Sequence, residues 1–140
     1  AYAPVLLIPQ NAHYKKFNNI LLACDEVDDD DPYLEFLKGV VSIFNAKIHA
    51  VHIEDDKEDL EQERKELEQE LTGVFPKDQL EMAVIHSEDI AGSIESYADD
   101  HDIGLIVMST ERRGFFEDMF HKSTTKEMAI HTDIPLLVLK

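Results

Sequence analysis

The chain is poor in cysteine and lacks long apolar runs, and each shortage excludes a class of protein. Its one cysteine, Cys24, has no partner for an internal disulfide, which is typical of a reducing compartment. No apolar run approaches the roughly 20 residues that a membrane-spanning helix needs. The residues Ala1-Tyr2-Ala3-Pro4 have neither the basic nor the apolar region of a signal peptide. We therefore expect a cytoplasmic protein that does not bind membranes.

Basic residues are also scarce. Lys and Arg number 13 against 30 Asp and Glu, which gives a formal net charge of −17. A surface so acidic repels a phosphate backbone and anionic lipid, so nucleic acid is excluded as a partner. The chain is 140 residues long, with 44% hydrophobic and 31% charged positions, which is typical of one globular domain.

Short apolar runs alternate with segments of helical periodicity. The apolar runs predict strands at 19–24, 47–53, 80–86, 103–108 and 134–139. Helices are predicted to start at Pro32 after the N-cap Asp31, to cover 57–72, to start at the cap Ser87, and to cover about 118–131. Short buried strands joined by helices predict a parallel sheet covered on both faces. The predicted fold is an α/β three-layer sandwich with a five-stranded, mainly parallel sheet.

The first 16 residues lie outside this alternation. Pro4-Val5-Leu6-Leu7-Ile8 has the same pattern as Pro135-Leu136-Leu137-Val138-Leu139, a proline followed by four aliphatic residues. One interpretation is an additional edge strand or an ordered arm. The other is that residues 4–8 are the last strand of an upstream copy of the domain, followed by a linker at 10–16. On the second interpretation, residues 1–16 are separate from a domain at 17–140.

Histidine is abundant, with seven residues, but its spacing does not favour a metal site. His49 and His52 are three apart on a strand, so their side chains are expected on opposite faces. His52 and His86 end predicted strands and form a weak two-ligand alternative. No motif of a zinc or calcium site and no nucleophile elbow is found. The sequence predicts no metal and no catalytic residues.

The segment 109–125 carries a family resemblance. It reads Ser-Thr-Glu-Arg-Arg-Gly-Phe-Phe-Glu-Asp-Met-Phe-His-Lys-Ser-Thr-Thr, it follows Leu105-Ile106-Val107-Met108, and it precedes the ending Ile134-Pro135-Leu136-Leu137-Val138-Leu139. Together with Asp25 after the first predicted strand and Val51-His52-Ile53 at the end of the second, this resembles the universal stress protein domain. The resemblance extends over nearly all of residues 17–140 and implies the adenine-nucleotide alpha hydrolase-like fold.

Members of that family that bind ATP have a phosphate loop of the form Gly-x2-Gly-x9-Gly-Ser/Thr. At the matching positions this chain has Ser109, Arg112, Lys122 and Ser123, so the three glycines are replaced. Glycines let backbone N–H groups close around a phosphate, and side chains obstruct that cradle. Either Arg112 and its neighbour Arg113 pair with nearby acids, or basic side chains bind the anion directly.

The resemblance implies a non-enzymatic stress-response module that acts through dimerisation or partner binding. The family commonly dimerises through its last strand, so the expected assembly is a homodimer or a pairing of tandem domains. Asp25 and Val51 match the positions at which the family contacts ribose and base. We expect no bound cofactor, with ATP disfavoured. The alternative is an ATP- or AMP-binding member whose phosphate site uses Ser109, Arg112, Lys122 and Ser123.

Overall fold

The computed structural model describes residues 4–23, 32–54, 60–109 and 133–139. Within these residues, six strands form one sheet. They are β1 (Val5–Leu7), β2 (Asn19–Ala23), β3 (Lys47–Glu54), β4 (Leu80–His86), β5 (Leu105–Ser109) and β6 (Leu136–Leu139). The spatial order is β1-β6-β5-β2-β3-β4.

Three α-helices in the described part cover the two faces of the sheet. They are α1 (Pro32–Phe44), α2 (Leu60–Thr72) and α3 (Ile90–Asp100), and a short 3₁₀ turn, Lys77–Gln79, leads into β4. Helices α1 and α2 pack on one face, and α3 packs on the other. The buried contacts come from Leu34, Leu37 and Val41 of α1, Leu67 and Leu71 of α2, and Ala91, Ile94 and Ala98 of α3. The predicted three-layer sandwich is confirmed.

The sheet is parallel from β6 to β4, as predicted, but it has six strands and not five. The additional strand is β1, which pairs antiparallel with β6. The predicted count was one short because residues 5–7 lie outside the alternation of strands and helices from which the strands were counted. These residues cover the edge that β6 would otherwise expose.

The continuous apolar run of β2 reflects its position in the middle of the sheet. Ile20, Leu21 and Leu22 are all fully buried, which requires cover on both faces. By contrast β4 is an edge strand, and most of its residues are only half-buried or exposed. The continuous apolar run at 19–24 and the run at 80–86, in which polar residues interrupt the apolar ones, thus correspond to a central strand and an edge strand.

The starts of two helices were predicted from capping residues, with different outcomes. Helix α1 begins at Pro32 as predicted, while Asp31 lies outside the described residues. The prediction that Ser87 caps α3 was wrong. The cap is Asp89, whose Oδ1 accepts the N–H of Gly92 at 3.0 Å, while the Ser87 Oγ accepts the N–H of Asp89. The helix predicted at about 118–131 lies outside the described residues.

Candidate functional site

Ligands of parallel α/β sheets bind at the carboxyl ends of the strands, where the strand order reverses. Here the chain leaves β2 towards β3 on one side and later returns to β5 on the other. The reversal therefore lies beside the carboxyl end of β2. Ala23 at that end is paired with Val51 of β3 and with Met108 of β5.

The structure brings two of the predicted site residues, Val51 and Ser109, to this edge. Ser109 is the last residue of β5, one position beyond Met108. Val51 is fully buried and, with Ala23 and Met108, belongs to the core beneath α3. Its side chain therefore provides an apolar floor and not a polar contact. The other predicted site residues, Asp25, Arg112, Lys122 and Ser123, lie outside the described residues.

A polar cluster lies at the opposite, amino end of the sheet, where sequence analysis predicted nothing. At its centre is His49 of β3, whose side chain is 3% exposed. Its Nδ1 lies 2.8 Å from the hydroxyl of Tyr97 on α3, and its Nε2 lies 3.0 Å from Oδ1 of Asn19 on β2. On β4, Glu81 stands directly opposite His49 in the strand register, and its Oε2 lies 3.5 Å from Nδ1.

Two further side chains complete this amino-end cluster. Lys47 at the start of β3 donates to Oε1 of Glu81 at 2.8 Å. The ring of His101, just beyond α3, stacks on Tyr97 with centroids 3.8 Å apart and an interplanar angle of 14°. His101 also meets the His49 ring edge-on at 5.6 Å. The cluster thus ties three strands to the end of α3.

The surroundings shift the pKa values of three groups in the cluster. Burial lowers the pKa of His49, aided by His101 and Lys47 and opposed by the carboxylate of Glu81. The hydrogen bond from Lys47 lowers the pKa of Glu81. Burial, with the charge of Glu81, raises the pKa of Tyr97 to about 12. Near neutral pH the structure therefore favours a neutral His49 beside a charged Glu81.

The strand register tests the metal alternatives. His49 and His52 do leave opposite faces, as predicted: His49 contacts α3, while the Nε2 of His52 lies 3.5 Å from Glu63 of α2. His52 is paired with Val84, and His86 is paired with Glu54, so the two histidines are not opposite each other. Within the described ranges, no group of three or more His, Cys, Asp or Glu side chains is arranged to hold a metal ion.

A cavity of about 350 Å³ lies next to the amino-end cluster. It is lined by the segment 13–15, by the end of α3 with the turn that leads into β5, and by residues 133–135 before β6. Lys15 and Asp102 form an ion pair across it. The carbonyl of Lys16 also lies 3.1 Å from where a Cβ on Gly104 would stand, so the leading segment packs closely on this turn.

Comparison with known proteins gives the family. The profile of the universal stress protein family matches residues 16–140. A comparison with curated proteins gave no match. Among the residues that the structure describes, no helix is long and apolar enough to cross a bilayer.

Several solved structures have the same fold. A universal stress protein from Archaeoglobus fulgidus in complex with dAMP has a TM-score of 0.66 at 17% identity, over 90% of this chain and 100% of that chain. A universal stress protein in complex with cAMP has a TM-score of 0.64 at 11% identity, over 89% and 97%.

A third similar structure is longer than this chain. It is a universal stress protein from Archaeoglobus fulgidus DSM 4304, with a TM-score of 0.61 at 21% identity, and the match spans 89% of this chain but only 44% of that one. At such identities these structures establish the fold, and the family profile establishes the membership. The chain belongs to the universal stress protein family.

Proposed function

We propose that the chain is a cytoplasmic stress-response module that acts through dimerisation or partner binding along the outer edge of β6, and not by catalysis. The observation that carries the proposal is the antiparallel pairing of β1 with β6. An open edge of β6 would present unpaired N–H and C=O groups beside an aliphatic strand, which favours the addition of another strand. In this structure β1 occupies that edge.

The pairing has the form of a self-complementary interface. The register joins Val5 to Val138, Leu6 to Leu137 and Leu7 to Leu136. The sequence repeat aligns the two strands in the same direction, with Leu6 equivalent to Leu137. A two-fold rotation that exchanges those two leucines therefore carries the Val5–Val138 pair onto the Leu136–Leu7 pair, which is also observed. Isologous interfaces have this symmetry.

The symmetry supports a second domain of the same fold as the partner. In that arrangement residues 1–16 are the end of an upstream domain and its linker, and β1 stands where the last strand of that domain pairs with β6. The relative from Archaeoglobus fulgidus of which only 44% is matched supports a tandem arrangement. A homodimer through two β6 strands would use the same symmetry.

Removal of β1 tests this proposal. The triple variant Val5→Ser, Leu6→Asp, Leu7→Ser weakens β1 within the full chain and should free the edge of β6. We expect it to sediment as a dimer in analytical ultracentrifugation. The matched control is Ile43→Asp, which places the same charge at an exposed aliphatic position of α1 and should leave assembly unchanged. A triple variant that stays monomeric while it remains folded by circular dichroism would contradict the proposal.

The register of the new dimer separates a self-complementary edge from non-specific association. With Cys24 replaced by Ser, the triple variant carrying Leu137→Cys should form a disulfide dimer, because Leu137 lies on the two-fold axis. Val138→Cys should not cross-link with itself, but it should cross-link with a chain carrying Leu136→Cys. Equal cross-linking at all three positions would argue against the proposed symmetry.

The second candidate function is nucleotide binding through an altered phosphate site. Two observations favour it: the similar structures in complex with dAMP and cAMP, and the position of Val51 and Ser109 at the reversal of strand order. Hydrogen bonds to a charged acceptor contribute about 1.5–3 kcal/mol each. Loss of two or three backbone donors from a glycine-rich loop would then weaken binding by about two to four powers of ten.

Calorimetry with ATP and Mg²⁺ distinguishes the two candidates. We expect weak binding or none, and a micromolar or tighter Kd would establish nucleotide binding instead. If ATP binds, the variant Arg112→Gly, Lys122→Gly decides how the phosphates are held. Stronger binding would indicate a backbone cradle, and loss of binding would indicate capture by side chains.

A further inference from the structure

We propose that His49, Tyr97 and Glu81 form a proton-operated switch that ties the end of α3 to the sheet while His49 is neutral and releases it when His49 is protonated. The switch lies at the amino end of the sheet, away from the proposed nucleotide site and away from the β1–β6 edge. It does not depend on the proposed function.

The partners of His49 determine its tautomer. The Oδ1 of Asn19 can only accept, so Nε2 carries the hydrogen and donates it across 3.0 Å. The unprotonated Nδ1 then accepts the hydroxyl hydrogen of Tyr97 across 2.8 Å. Both ring nitrogens are therefore satisfied with His49 neutral, and the Tyr97 bond joins α3 to β3.

Protonation reverses the role of Nδ1. Once Nδ1 carries a hydrogen it can no longer accept from Tyr97. The Tyr97 oxygen accepts that hydrogen only if its own O–H turns away, whereas the carboxylate of Glu81 is a charged and therefore stronger acceptor. The carboxylate of Glu81 is placed to serve, because its Oε2 is already 3.5 Å from Nδ1 while its Oε1 binds Lys47. The added proton comes from solvent and stays on Nδ1, and the Tyr97 hydroxyl keeps its own hydrogen.

The groups around His49 act in opposite directions on its protonation. The carboxylate of Glu81 favours the protonated ring, while burial and the nearby cations favour the neutral ring. The titratable, charged and polar groups that face His49 are Asn19 from β2, Lys47 from its own strand, Glu81 from β4, Tyr97 from α3 and His101 from the turn after α3.

Loss of the Tyr97 bond loosens a turn that has two further attachments. The N–H of Gly104 donates to the carbonyl of Asn19 on β2 at 2.9 Å, and Asp102 forms an ion pair with Lys15. His101 donates its N–H to the carbonyl of Tyr97 and stacks on the Tyr97 ring, so the two residues move together. Ile103 donates to the carbonyl of Ala98 within the same turn. Because Ala98 and Asp102 also line the cavity against residues 13–15, the switch acts on one wall of that cavity.

Amide hydrogen exchange combined with NMR titration of the His49 ring tests the switch in the full chain. The reporters are the N–H groups of His101 and Ile103, whose acceptors lie within the turn. After correction for intrinsic exchange rates, we expect both to exchange about tenfold faster on the acid side of the measured His49 titration than at pH 7, the effect of one lost hydrogen bond. Unchanged exchange across the titration of His49 would overturn the proposal.

Three variants separate a switch from general acid destabilisation. Tyr97→Phe removes the donor, so the turn should exchange fast already at pH 7 and lose its pH response. Glu81→Gln removes the charged acceptor, so the response should move to lower pH. The matched control is His52→Gln, an equally buried histidine of the same strand on the opposite face, which should keep the wild-type response. A Tyr97→Phe variant that retains the full pH response would also overturn the proposal.

Discussion

The strands β1 and β6 have nearly the same sequence pattern but very different surroundings. All four residues of β6 are buried, with exposures between 1% and 7%. The three residues of β1 are between 37% and 48% exposed, although they too are aliphatic without interruption. Continuous aliphatic runs suit strands that are covered on both faces, and alternating runs suit strands with one wet face. The sequence of β1 therefore fits an environment that the described part of the chain does not supply.

On the proposed tandem arrangement, the sequence of β1 reflects a neighbour outside its own domain. β6 lies between β5 and β1, and it packs with both core clusters. β1 is bordered in the sheet by β6 alone. A second domain of the same fold would cover β1 in the way that the present helices cover the central strands. Mutations at the paired positions test this difference between β1 and β6. The pairs are Val5–Val138, Leu6–Leu137 and Leu7–Leu136.

The largest effect is expected from truncation of the equivalent leucines. Leu137→Ala removes a buried side chain and should lower the free energy of unfolding by about 2–5 kcal/mol. Leu6→Ala removes a half-exposed one and should cost less than about 1 kcal/mol. Urea unfolding followed by circular dichroism measures both. Equal costs would mean that β1 belongs to the same core as β6 and would remove the contrast between them.

A graft tests whether the two runs are interchangeable. The substitutions Leu136→Val, Val138→Leu and Leu139→Ile give β6 the sequence of residues 5–8. Because the total aliphatic volume changes little, we expect a loss of about 1–3 kcal/mol in total. The control replaces the same three positions by threonine, which is β-branched and suits a strand but adds hydroxyls to the core. A graft as damaging as the threonine variant would show that the two patterns are not equivalent.

The sequence predicted most of the fold because periodicity and burial act locally. The uninterrupted aliphatic sequence of Ile20–Leu22 and of β6 is enough to predict that these strands are buried. The repeat at residues 4–8 predicted either an additional edge strand or the end of an upstream domain. The antiparallel direction and the register of β1 could not be predicted, since both depend on contacts across the whole length of the chain.

The amino-end cluster was missed for the same reason. Its residues come from β2, β3, β4 and the end of α3, and each taken singly is an ordinary strand or helix residue. The strand register places Glu81 opposite His49, and no spacing in the sequence contains that register. The one local signal was the pair Tyr97 and His101, four residues apart at the end of a predicted helix, a spacing that places two rings on one face. At the carboxyl edge, Ser109 is the last residue of β5, and Val51 is paired with Ala23 at the end of β2. The sequence did not indicate that Val51 is fully buried.

The smallest expected effect concerns pH, and it contrasts the β1–β6 pair with the rest of the molecule. The paired residues are all aliphatic, so their association should not change between pH 7 and pH 5. Thirty acids at a net charge of −17 repel one another, and this repulsion weakens as carboxylates become protonated. That change alone should leave stability unaltered or improve it as the pH falls.

The protonation of His49 opposes the gain in stability that weaker charge repulsion gives at low pH. The pKa of His49 is lowered in the folded state from an ordinary 6.5, chiefly by burial, so below that pH the unfolded chain binds a proton more readily than the folded one. The contribution of neutral His49 is fully present above about pH 6.5 and is lost as the pH falls through the lowered value. The lowered pKa of Glu81 acts in the same direction, but only below its ordinary 4.5, outside this range. The free energy of unfolding should therefore change by no more than about 1 kcal/mol between pH 7 and pH 5.

His49→Gln should remove the opposing contribution, so that this variant gains stability on acidification while His52→Gln follows the wild type. A steep loss of stability in His49→Gln over the same range, measured by urea unfolding at each pH, would show that other native ion pairs outweigh the general repulsion.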